Sequence, residues 1–249
     1  VERVLAYDAS FRGGVRVAGR DGATHSAGAG GYALAVDSEG SQRVTARFGD
    51  RQVNLRVVLG DENVKVDFIG TRAVASSASA ALGTGLRDAT LLGVGAHDLT
   101  GNAAANRLTG NRGNNELHGN AGHDRLAGND GRDTLAGGRG NDTLTGGSGA
   151  DLLEGGSGRD LASYAASETA VRVHLARGTG QRGDAHADRL RGIEDLCGSS
   201  HDDHLTGSAT ANRMAGGDGD DRLSGGNGRD LLSGGRGDDL LIGGAGRDT

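Results

Sequence analysis

The chain has no proline and no tryptophan, one cysteine and one methionine, and only three Phe and three Tyr among its 249 residues. Each lack removes a class of protein. Without proline, a glycine-rich chain cannot be collagen, which repeats as Gly-X-Y with proline. A single thiol, Cys197, cannot close an internal disulfide, so no covalent staple holds the fold. Five of the aromatics (Tyr7, Phe11, Tyr32, Phe48 and Phe68) precede residue 70, so bulky groups for a conventional core are nearly confined to that region. No apolar run approaches the ~20 residues that a helical bilayer span requires. The net charge of −6 gives no reason to expect nucleic acid or an anionic membrane as partner. No HExxH, GxSxG or paired-carboxylate arrangement stands apart from the repeats, so the chain does not read as an enzyme. It begins at Val1 without Met and stops inside a repeat at Thr249, which reads as a fragment and leaves room for a signal and a catalytic domain upstream.

Glycine is abundant instead, at 49 residues, and it is in register with leucine. A leucine returns every nine residues at Leu99, Leu108, Leu117, Leu126, Leu135, Leu144 and Leu153. Between them run Gly-rich loops that end in Asp, as in GGRGNDTLT and GGSGADLLE. Full GGxGxD loops start at Gly137, Gly146, Gly155, Gly216, Gly225, Gly234 and Gly243, and GNxGxD variants start at Gly119 and Gly128. A fixed short period predicts stacked coils rather than an ordinary globule.

The nonamer has a physical reading. Its glycines permit the positive φ of a sharp turn. The three residues after the Asp predict a short strand with its middle residue pointing inward. Two nonamers close one coil, so turns on one edge lie 18 residues apart in sequence and about 4.7–4.9 Å apart in space. Calcium takes six to eight oxygens at about 2.3–2.6 Å, so an ion between two such turns reaches both. The bridging pairs predicted are Asp124/Asp142, Asp133/Asp151, Asp142/Asp160, Asp203/Asp221, Asp221/Asp239 and Asp230/Asp248. The candidate metal ligands are therefore Asp124, Asp133, Asp142, Asp151, Asp160, Asp203, Asp221, Asp230, Asp239 and Asp248, with backbone carbonyls of the same loops. One buried leucine per nine residues does little against the entropy of ordering nine backbones. Residues 198–249 also carry nine Asp against five Arg, so folding is expected to depend on calcium. Asn106, Asn115 and Asn212 replace the loop Asp, and an Asn carbonyl is a poorer ligand; weak sites are expected at the loops starting Gly101 and Gly207.

These loops resemble the calcium-binding nonapeptide, GGxGxDxUx, of the RTX (haemolysin-type) family. The resemblance implies a parallel β-roll, several bound Ca²⁺, and a secreted, extracellular protein exported by the type I secretion machinery. It also leaves open the non-catalytic tail of a secreted protease, lipase or alginate epimerase, or an adhesin with an unidentified polysaccharide or cell-surface ligand. Residues 1–70 differ. Alternating runs at Gly14–Val17, Gly31–Val36, Gln42–Phe48, Gln52–Leu59 and Asn63–Ile69 predict a small antiparallel β-sandwich. Gly14–Ala18, the SAGAGGY segment Ser26–Tyr32 and Val64–Ile69 resemble Cna-B or carboxypeptidase-regulatory-like modules. The chain is thus read as all-β. Residues 1–70 form the sandwich, 71–90 a linker or degenerate first coils, and 91–160 the first roll block. Residues 161–197 are connecting strands and irregular coils, and 198–249 the second block. Within the connector, GDAHADRLR at Gly183–Arg191 fits the nonamer frame.

Two other strings are set aside. His201-Asp-Asp-His204 suggests zinc but lies in the repeat frame and has no third histidine at ligand spacing. The RGD tripeptides at Arg182–Asp184 and Arg236–Asp238 fall in Gly/Asp-rich turns, where such strings arise by chance.

Overall fold

A computed structural model describes residues 5–6, 11–18, 24–29, 32–34, 40–48, 51–59, 64–69 and 72–249. Tyr7, Gly30 and Gly31, which the sandwich reading uses, lie outside the described residues. The described chain is all-β, with only two 3-10 turns, Leu175–Arg177 and Gly183–Ala185.

From residue 73 onward the chain winds into a parallel β-roll. Leu99 pairs with Leu117, Leu117 with Leu135 and Leu135 with Leu153 in one sheet. Leu108, Leu126 and Leu144 pair in the same way in the other. Each step is 18 residues, because consecutive nonamers alternate between the two sheets. All seven leucines are buried and form two facing columns of one core. Truncating one mid-column side chain leaves a void that its hydrogen-bonded neighbours cannot close. Leu135→Ala is therefore expected to lower the calcium-loaded chain's unfolding free energy by ~2–5 kcal/mol, measured by denaturant titration. Leu241→Ala, at a position 44% exposed on the last rung, should cost far less.

The strands are longer than the sequence pattern suggests. Thr134–Arg139, Thr143–Ser148 and Leu152–Ser157 each have six residues and take in the two leading glycines of the next loop. The pairing continues through them, with Gly138 opposite Gly156. The six residues GGxGxD are thus not all turn. Glycine's freedom lets the chain stay paired with neighbouring coils while it begins to bend.

Before residue 70 the described pairings are antiparallel, and their sheets run on into the roll. Arg51–Leu59 pairs with Gly40–Phe48 on one side and with Ala80–Leu82 on the other. Val64–Ile69 joins Ala73–Ser76, and Ala73–Ser76 pairs in parallel with Asp88–Leu91. Val53, Leu55 and Val57 share one core with Leu82, Leu86 and Leu99. Residues 73–91 form the first rungs of the ladder.

The connector interrupts one sheet only. Leu161–Ser163 pairs directly with Asp195–Cys197. In the opposite sheet, Arg189–Arg191, Thr179–Gln181 and Arg172–His174 form an antiparallel excursion between Leu152–Ser157 and His204–Thr206. That sheet gains two extra strands, about 9–10 Å of width. Tyr164, Val171, Ala185 and Ile193 are buried in the core there.

Candidate metal centre

Each loop Asp sits at the start of a rung, and the stacking fixes what its two oxygens can do. One oxygen is spent on the ladder. Asp142 Oδ1 accepts from the Asp124 amide at 2.8 Å, Asp151 Oδ1 from Asp133 at 2.8 Å, and Asp160 Oδ1 from Asp142 at 2.8 Å. In the second block Asp221 Oδ1 accepts from Asp203 at 2.8 Å, Asp239 from Asp221 at 3.0 Å, and Asp248 from Asp230 at 3.0 Å. Every one of the six 18-residue pairs is therefore adjacent, joined by an amide-to-carboxylate hydrogen bond.

The other oxygen is not spent. Oδ2 of Asp124, Asp133, Asp142, Asp151, Asp160, Asp221 and Asp230 is buried with no hydrogen-bond partner. An orphaned carboxylate oxygen is costly in a folded protein and fits a cation as its partner. The space beside it is defined. A Cβ placed on Gly119 would run into Asp124 Oδ2 and lie 2.5 Å from the Gly137 carbonyl of the next coil. Gly128 stands in the same way to Asp133 Oδ2 and the Gly146 carbonyl, and Gly137 to Asp142 Oδ2 and the Gly155 carbonyl. At these three loops the first glycine keeps clear the space between the Asp oxygen and a carbonyl of the next coil; Gly101, Gly110 and Gly207 do the same beside Asn106, Asn115 and Asn212, so the Asp loops are distinguished by the partnerless Oδ2 and not by the space. Among the described residues no three His, Cys, Asp or Glu side chains converge. An ion here must draw on backbone carbonyls, which suits a hard cation such as Ca²⁺.

Burial also charges these sites with strain. Desolvation pushes Asp124, Asp133, Asp160 and Asp221 up to about 6 and Asp151 to about 7, against the lowering effect of the amide each accepts from. Asp142 is raised for the same reason. Neighbouring carboxylates add to the rise, as Asp142 does at Asp124 and Asp203 and Asp239 do at Asp221.

Other loops are closed on themselves. Asn106 Oδ1 accepts from the Asn102 amide at 2.7 Å, Asn115 Oδ1 from Asn111 at 2.8 Å, and Asn212 Oδ1 from Ser208 at 2.7 Å. The amide nitrogens of Asn115 and Asn212 donate to the carbonyls of His97 and Glu194, each 18 residues back. Asn therefore finds a partner for its oxygen, and at 115 and 212 for its amide nitrogen, within the protein, where the Asp loops leave Oδ2 without one. Asp203 behaves like these. Its carboxylate accepts from the Ser199 amide and hydroxyl and from the Val171 amide, so neither oxygen is free. The sequence reading places Asp203 with the open loops because it weighs the Asp and not the Ser at the second loop position. Asp239 and Asp248 lie on the final rungs, half-exposed.

Three residues in the connector were not singled out from the pattern. Asp188 occupies the Asp position of the GDAHADRLR frame, 37 residues after Asp151, and accepts from the Asp151 amide at 2.8 Å. Its second oxygen accepts from the Tyr164 hydroxyl at 3.0 Å, in a pocket where burial pushes Asp188 up to about 7. Glu194 takes the Asp160 amide at 2.9 Å. Its extra methylene fits the shortened step Gly192–Cys197. The repeat frame signals Asp188, but only the fold brings Tyr164 to it.

The GN loops obey the same geometry. Asn120 and Asn129 hold φ of 75° and 78° at the second loop position, a left-handed conformation that Asn tolerates better than other side chains.

The RTX calcium-binding nonapeptide repeat matches this chain four times, over residues 100–135, 127–162, 198–232 and 215–249. These segments are RTX repeats, and the protein binds calcium in a β-roll. The match does not reach residues 1–70 and so lends nothing to the Cna-B-like resemblance. No curated protein matches the chain. No helix among the described residues is long and apolar enough to cross a membrane.

Proposed function

We propose that the calcium ions sit at the seven open loops, held by Oδ2 of Asp124, Asp133, Asp142, Asp151, Asp160, Asp221 and Asp230 with carbonyls of adjacent coils. Asp239 and Asp248 take the same role where a further rung covers them. The loops ending in Asn106, Asn115, Asn212 and Asp203 stay metal-free. The observation that carries this reading is the buried, partnerless Oδ2, present at these seven positions and absent from Asp203. Calorimetric titration tests it. Asp142→Ala should lower the calcium stoichiometry, whereas Asp203→Ala should leave it unchanged. Equal losses from the two variants would contradict the assignment.

At the level of biology, the module is a calcium-folded part of a secreted protein exported by type I secretion. It stays unfolded where calcium is scarce and folds outside the cell, where millimolar calcium matches the ~10⁻⁴–10⁻³ M affinities of extracellular modules. The support is the acidic, thin-cored repeat, which offers little to fold on without the ion. The calcium midpoint of folding should lie between micromolar and millimolar. A midpoint well below a micromolar would remove the reason for folding only after export.

A further inference from the structure

We propose that the groove formed by the connector and the second block is a binding site for a small oxyanion, a carboxylate or sulfate group. A cavity of about 220 Å³ lies there, lined among others by Arg172, His174, Arg177 and His204, with the Thr179 hydroxyl and Gln181 amide beside them and no carboxylate. Topology assembles it. Strand Arg172–His174 lies between Thr179–Gln181 and His204–Thr206, so Arg172 is opposite Gln181 on one side and His204 on the other. The next rung adds Arg222 opposite His204. Arg177 ends the 3-10 turn, and Gly178, at φ 61°, folds the chain back over the strand.

Arg172 and Arg222 flank His204 on successive strands, and Arg177 lines the same groove, so guanidinium groups gather on one face of the sheet. This chain has acids to spare, yet none of the ion pairs among the described residues involves Arg172, Arg177 or Arg222. Neighbouring rungs differ, since Arg191 pairs with Glu154 at 3.0 Å and Arg159 with Asp195 at 2.6 Å.

The chemistry of the lining selects the ligand. Arg guanidinium presents a planar fork of donors that matches carboxylate and sulfate oxygens. The hydroxyl and amide groups suit a polyol body. No aromatic lines the groove, so it offers no stacking platform for a base. At ~30 Å³ per water, the cavity holds about seven waters, room for one anionic group and a small body attached to it. None of the seven proposed calcium-binding carboxylates lines the groove.

The test uses the calcium-loaded chain at fixed ionic strength, with inorganic sulfate, glucuronate and neutral glucose as probes. Binding is read by calorimetry and by the imidazole NMR signals of His174 and His204. Sulfate or glucuronate should bind saturably and glucose should not; the tighter of the two anions identifies the source of the oxyanion. The variant R172A/R177A should weaken binding at least tenfold, with its circular dichroism in calcium unchanged. R112A, whose guanidinium lies on a loop elsewhere, should bind as the parent does. Binding of neither anion, or equal binding by R172A/R177A, would overturn the proposal.

Discussion

Stripping calcium from this chain is expected to collapse the parallel ladder from residue 119 onward. Millimolar Ca²⁺ should restore it, with a change from a coil-like to a β-type circular dichroism spectrum. The size of the effect follows from the sites. Each independent ion at 100 times its Kd adds about 2.7 kcal/mol, so several together exceed the ~5–15 kcal/mol that holds a typical domain. Without ions, seven Oδ2 atoms stay buried with no partner, and neighbouring carboxylates repel one another along each edge. Magnesium should restore little, because it demands near-octahedral geometry at ~2.0–2.1 Å and gives up its waters reluctantly. Hydrogen exchange should show where the loss begins. Amides at 73–91 pair with rungs that contain no open Asp loop, so they should outlast those at 124–160. A calcium-free chain with an unchanged spectrum and melting point would defeat the argument.

Acid should partly replace calcium in the metal-free chain. Asp124, Asp133, Asp160 and Asp221 titrate at about 6 in the fold and Asp151 at about 7, against 3.8 for a free Asp. A raised carboxyl pKa means that the folded state binds protons more readily than the unfolded one. The stability this contributes is full below about pH 4 and is lost as pH rises through 6–7. A neutral carboxyl also removes the repulsion between successive coils. Metal stripped by dialysis, the chain should therefore show more β-type circular dichroism at pH 4.5 than at pH 7.5. In saturating calcium the order should reverse, because protons compete with the ion for the same oxygens. A metal-free β signal that is flat or rises toward pH 7.5 would mean that the Asp carboxylates are better solvated than their burial implies.

Much of the candidate site is legible in the sequence because a solenoid turns sequence spacing into spatial distance. An 18-residue offset is one rung, so Asp124 and Asp142 must be neighbours, and so must Leu117 and Leu135. The nine-residue period thus fixes the roll, its two leucine columns and the adjacency of the loop carboxylates. It also marks Asn106, Asn115 and Asn212 as weak positions, because the functional group is written in the residue type. The strand-rich character before residue 70 is legible too, from alternation alone.

What the period cannot carry is any contact whose offset differs from 18. Tyr164 reaches Asp188 across 24 residues, and Asp188 reaches Asp151 across 37, only because a hairpin is inserted into one sheet. The cationic groove arises from the same insertion, which sets Arg172 and Arg177 beside His204. Ser199 closes Asp203 through side-chain geometry that a count of aspartates does not register. Nor does alternation reveal that Arg51–Leu59 pairs with Ala80–Leu82, so that the antiparallel strands and the roll share two continuous sheets. The sequence by itself determined the repeating unit, its inward leucine and its calcium chemistry, since these are local and periodic. The tertiary structure decided which carboxylates keep an unpartnered oxygen and what stands at the seam between blocks, since those depend on neighbours that no fixed spacing brings together.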